Sequence, residues 1–111
     1  MIPTYEDAIQ LLKNRPEAKE WEELAIALRR ASIHKPVAWH FPVAACDAVG
    51  SKPNAAVPAV TAIICAHMAL MLVDDILDED PRGGYHQLGA GRAANLAMGL
   101  ASLGNIILLS D

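Results

Sequence analysis

The chain has little with which to build a sheet, a redox centre or a basic surface. Aromatic residues make up only 5% of its 111 residues, and Ala and Leu dominate the 53% that are hydrophobic. These side chains lose little rotamer freedom in a helix, so the composition points to an all-helical chain. Lys and Arg number 9 against 13 Asp and Glu, for a net charge of -4. The basic residues are scattered rather than gathered on one stripe, which argues against a nucleic-acid partner. The two cysteines, Cys46 and Cys65, sit in apolar stretches without metal-ligand spacing. The opening "MIPTYEDAIQ" lacks the basic and apolar regions of a signal peptide. The expectation is a cytoplasmic protein with reduced thiols. There is no internal repeat, low-complexity tract or long linker.

What is present suits one domain or part of one with a modest core. "TYEDAIQLLKN" (4–14) places Tyr5, Ile9 and Leu12 at helical spacing behind Thr4 as a candidate N-cap. Pro16 is suited to a first helical position, and "PEAKEWEELAIALRRA" has early acids, late Arg29 and Arg30, and a stripe of Trp21, Leu24, Ala25 and Leu28. This spacing predicts a second helix from Pro16. Residues 34–50 read as a helix after Pro36 that ends at Gly50, with Pro42 marking a kink or the true start. A long helix is expected from about Asn54 until Pro81, and a final one over 93–109.

Residues 55–73 carry no formal charge with His67 neutral, and about 20 apolar residues can cross a bilayer. The many alanines, His67 and the lack of flanking basic clusters favour the central helix of a bundle over a stable membrane insertion. The segment ends in "MLVDDILDED", a concentration of carboxylates. Asp74 and Asp78 lie four apart, so they project to one side of a helix a turn apart. Like charges at that spacing repel, and acids in a last turn oppose the helix dipole, unless a cation is present. Mg2+ is commonly held by one or two carboxylates together with substrate phosphates. The bland alternative is a solvated helix end followed by a charged turn, the role expected of Glu79 and Asp80. The spacing does not fit an EF-hand loop.

"HMALMLVDDILDED" resembles the first aspartate-rich region of the trans-isoprenyl diphosphate synthases (polyprenyl synthetases), a DDxxD signature with a His seven residues before its first Asp. Asp74, Asp75, Asp78 and His67 match it. Downstream, "PRGGYHQLGAGRAANLAMGL" is similar to the family's Arg-Gly turn, following His and small-residue helix. Upstream, "KPVAWHFPVAACDAVG" is similar to the Pro-led helix after its basic motif. The likeness covers 35–111, with 1–34 as two leading helices.

The resemblance implies an all-α isoprenoid-synthase bundle of about five helices and a Mg2+-assisted prenyltransferase of isoprenoid biosynthesis. Asp74 and Asp78 would be the metal ligands, with Asp75 supporting them, for an allylic prenyl diphosphate. Lys35, His67 and Arg82 would help hold isopentenyl diphosphate. Ala69 and Leu70, just before the acids, would lie in the region that sets chain length. The family's usual basic motif is here reduced to "ASIHKP", its usual two arginines before the downstream Gly become Pro81-Arg82, and no second aspartate-rich motif follows. The expectation is therefore the N-terminal portion of one polyprenyl synthetase domain, inactive alone and forming a homodimer or heteromer when complete. The alternatives are a noncatalytic diphosphate- and metal-binding subunit of a heteromeric synthase, or a small membrane protein with spans near 55–73 and 93–109.

Overall fold

A computed structural model describes residues 3–34 and 37–110. They form five α-helices and, among the described residues, no strand. These are α1 (Pro3–Asn14), α2 (Glu22–His34), α3 (Phe41–Ala48), α4 (Val57–Leu77) and α5 (Ala90–Ser110). Short 3-10 turns precede α3 (Val37–His40), α4 (Pro53–Ala56) and α5 (Gly84–Gln87). The chain is all-α, as its composition requires.

The helix α4 is the spine. Its buried residues include Val60, Thr61, Ile64, Cys65, Met68 and Leu72, and its principal neighbour is α5, which contributes Ala93, Leu96, Ala97, Leu100, Leu103 and Ile107. The two axes come close at Gly104, where a Cβ would lie 3.1 Å from Cys65 Cβ and 3.2 Å from the Ala62 carbonyl. On another side, α1 seals α4 with the predicted stripe of Tyr5, Ile9 and Leu12. Thr61 Oγ1, fully buried, donates within its own helix to the Val57 carbonyl at 2.7 Å and lies 3.3 Å from that of Ala8 in α1. Trp39 is also fully buried, edge-on to Tyr5 at 5.9 Å between ring centroids. Burial pushes the Cys65 thiol up to about 12; both cysteines are free thiols.

Several boundaries differ from the sequence reading. Pro16 does not open a helix. Residues 15–20 make successive turns in which the amides of Arg15, Ala18 and Trp21 bond to carbonyls three positions back, and α2 begins only at Glu22. Ala18 is buried within this turn and Arg15 pairs with Glu17 at 2.9 Å, so local bonds compete successfully with the first helical turn. Leu24 and Leu28 are buried as expected; Trp21 is half-buried and Ala25 exposed. Pro42 lies in the first turn of α3 and marks its true start. The last helix opens at Ala90, three residues earlier than expected, because Gly89, at φ 86, turns the chain and accepts the Ala93 amide.

Two helices are long and apolar enough to cross a membrane, the continuous Pro53–Leu77 segment and Ala90–Ser110. In the most apolar stretch of each, 50% and 39% respectively is buried against the rest of the fold, and the core helix of a globular bundle meets the same criterion.

The close α4–α5 approach generates a test. Gly104→Val places methyl groups against Cys65 and the Ala62 backbone, and overpacking of this kind costs about 1–3 kcal/mol. Urea unfolding should show that loss as a lower midpoint with an unchanged slope.

Candidate functional site

The end of α4 and the loop after it build the site. Backbone bonds from Glu79 to Ile76 and from Asp80 to Asp75 close the helix in a Schellman motif, with Asp78 as its C-cap. The same motif ends α3, where the Gly50 amide bonds to Asp47 and that of Ser51 to Cys46. There the left-handed position is filled by Gly50 at φ 78, whereas in α4 it is filled by Glu79 at φ 51. A side chain in that conformation costs about 1–2 kcal/mol. The helix therefore stops before Pro81, and the acidic run is divided. Asp74, Asp75 and Asp78 stay on the helix, while Asp80 turns back beneath the loop.

Asp80 is not the solvated turn residue expected of it. Its carboxylate accepts the Arg82 backbone amide at 2.8 Å and pairs with the Arg82 side chain at 3.3 Å. The backbone bond first, and then the guanidinium, hold its carboxyl below the usual aspartate range. In turn Asp80, with a smaller contribution from Asp75, raises the Arg82 guanidinium. The Asp80 carbonyl lies 2.9 Å from His86 Nε2, and because a carbonyl can only accept, that nitrogen carries the proton.

The loop passes between α4 and α2 where two glycines permit it. A Cβ at Gly83 would meet Asp75 Cβ at 2.9 Å and the Tyr85 ring at 2.8 Å. At Gly84 it would lie 3.0 Å from Cδ and Nε of Arg30, on α2. The Arg30 guanidinium crosses to donate to the Arg82 carbonyl at 2.6 Å. Loop, α2 and α4 thus enclose a cleft of about 410 Å³. From α2 come Ile26, Ala27, Arg30 and Ala31; from α4, His67, Met68, Met71, Leu72 and Asp75. The loop adds Asp80, Arg82, Gly84, Gln87 and Leu88.

Of the residues singled out in the sequence, His67, Asp75 and Arg82 come together in this cleft. Asp74 and Asp78 do not line it. At intervals of four, three and four, His67, Met71, Asp74 and Asp78 follow one stripe of α4, so the two exposed aspartates lie on the side of the helix that carries His67 and Met71 without lining the cleft. Ala69 packs into the core and Leu70 is 65% exposed; neither reaches the cleft. Both project from other sides of α4, and Met68, Met71 and Leu72 supply its apolar wall. Lys35 lies outside the described residues. Arg30 and Asp80 were not legible as site residues. The available hint for Arg30 was its place four residues after Ile26, on a row that the cleft uses.

Among the described residues, no three His, Cys, Asp or Glu side chains are grouped so that they could hold a metal ion. Asp74 and Asp78, both exposed, are a pair one turn apart on α4 rather than such a group. Comparison of the chain with family models, curated proteins and solved structures found no match.

The Asp80–Arg82 turn gives a pH dependence of known sign. A depressed carboxyl stabilises the fold above its unfolded value, about 3.9 for aspartate, and that contribution disappears as pH falls through the lower folded value. Hydrogen exchange should find the Arg82 amide protected at neutral pH and losing protection below about pH 4. Asp80→Asn should reduce that protection already at neutral pH.

Proposed function

We propose that this chain binds an allylic prenyl diphosphate through Mg2+ and serves in its condensation with isopentenyl diphosphate. The observation that carries the reading is the single stripe of α4 that runs from His67 and Met71, which line an apolar cleft, to the exposed Asp74 and Asp78. An amphiphile with an apolar tail and a diphosphate head matches that order of surfaces.

In this reading Met68, Met71, Leu72 and Ile26 pack along the prenyl tail and exclude water from it. Asp74 and Asp78 would hold Mg2+, which when bound would supply positive charge to stabilise the departing diphosphate. Asp75, which lines the cleft, would support the two ligands. The allylic C–O bond breaks and its electron pair leaves with diphosphate. The double bond of isopentenyl diphosphate then supplies the electrons of the new C–C bond, and a proton is released as the product alkene forms. His67 from α4 and Arg82 from the loop both line the cleft and would help hold the second diphosphate. Arg82 is shared with Asp80, so its grip on that group is moderated.

Titration calorimetry with geranyl diphosphate tests the reading. Binding should require Mg2+, and Asp74→Asn or Asp78→Asn should each weaken it by roughly tenfold or more. Binding that is indifferent to Mg2+ and to both substitutions would overturn it.

A second reading, a noncatalytic subunit that completes its site with another chain, draws on a different observation. Leu70, Val73 and Leu77 lie on the outer side of α4 with 65%, 42% and 76% of their surface exposed. In that case a second, different polypeptide should co-sediment with the chain, Leu70→Lys and Leu77→Lys should suppress that association, and turnover of both diphosphates with Mg2+ should appear only in the complex.

A further inference from the structure

We propose that Arg30 is the principal ligand for the diphosphate of isopentenyl diphosphate in this cleft; the inference rests on the prenyltransferase reading above. Two diphosphates take part in that reaction, and in the reading above Asp74 and Asp78 would hold only the allylic one through metal. The other needs cationic side chains facing the same apolar space. The cleft offers two guanidiniums. That of Arg82 is committed to Asp80, at 3.3 and 3.4 Å, and is further influenced by Asp75. The Arg30 guanidinium has no carboxylate partner among the described residues. Among the described residues its guanidinium makes one hydrogen bond, from Nη2 to the Arg82 carbonyl, so most of its five N–H donors have no partner there.

That bond also fixes where the donors lie. A neutral carbonyl anchors one corner of the planar group without cancelling its charge, while the absence of a side chain at Gly84 lets Cδ and Nε lie against the loop. The guanidinium is thereby held on the α2 side of the cleft, which His67 also lines from α4. A phosphate can be taken by such a fork through two parallel N–H bonds. The small Ala27 and Ala31 beside it leave room for the short isopentenyl chain below the head group. The division of labour is that acids and metal hold the allylic partner from α4, and Arg30 holds the other from α2.

Calorimetry in EDTA, with isopentenyl diphosphate as the probe, separates this proposal from the reading it rests on. The full chain should bind the probe without Mg2+, and Arg30→Gln should weaken that binding roughly tenfold or more. Arg30→Lys should recover part of the loss. The Arg30→Gln effect on isopentenyl diphosphate should exceed its effect on Mg2+-dependent geranyl diphosphate binding by about the same factor. Gly84→Ala, which displaces the guanidinium but keeps its charge, should fall between wild type and Arg30→Gln. Circular dichroism of each variant verifies that the helices remain. Unchanged affinity in folded Arg30→Gln, equal losses for both diphosphates, or failure of the wild-type chain to bind the probe would overturn the assignment. If instead Asp74→Asn leaves geranyl diphosphate binding intact while Arg30→Gln abolishes that of isopentenyl diphosphate, the metal reading fails and the cationic site stands.

Discussion

Everything in the molecule depends on how closely α4 can lie against α5. Gly104 removes the side chain that would keep Cys65 and the Ala62 carbonyl away, so two apolar helices bury one side of each along most of their length. Once that pair is formed, α1 has a surface to cover and α2 has a groove to cross. The same pairing leaves the His67–Asp78 stripe of α4 unoccupied by helices. A polar residue such as His67 is tolerated there because it faces a cleft rather than the sealed interface.

The second constraint is the way α4 ends. Had its left-handed position been glycine, the turn would be unstrained, as it is after α3. Glu79 instead accepts the conformation at a cost, and the favourable contacts that hold it there lie downstream. They are the Asp80–Arg82 pair, the His86 bond to the Asp80 carbonyl and the seat of Gly83 against Asp75. A run of five acids within seven positions (Asp74, Asp75, Asp78, Glu79 and Asp80) thereby becomes four environments: the exposed pair Asp74 and Asp78, Asp75 lining the cleft, Glu79 exposed in the left-handed turn position, and Asp80 bonded into the loop.

The sequence revealed the helices well because their cause is local. Ala- and Leu-rich segments with recurring apolar positions have few other ways to bury themselves, and Pro42 and Gly50 act through their own backbone restrictions. The segment after Pro16 misled because proline permits a helix start without enforcing one, and the turn around the buried Ala18 won. That Asp74 and Asp78 share one side of α4 could be anticipated from helical spacing. The fate of Asp80 could not, since it is decided by a reverse turn rather than by a period. Arg30 was less visible still, because its partner lies 52 positions away and no spacing rule links a mid-helix arginine to a distant carbonyl. Ala69 and Leu70 show the converse limit. Adjacency to a motif along the chain says little about direction, since a step of one residue rotates a side chain by about 100°.

The bond between Arg30 and the Arg82 carbonyl joins a helix to a loop, and so makes the cleft's shape a property of how α2 is docked. Besides that bond, α2 is fixed by Leu24 and Leu28 in the core, by Trp21 against Gly99 of α5, and by the Glu23–Arg92 pair at 2.9 Å. Occupancy of the cleft and attachment of α2 therefore draw on a shared free energy. A molecule that tightens one must tighten the other by the same amount, and substitutions as remote as the Trp21 end of α2 enter the affinity through that common term.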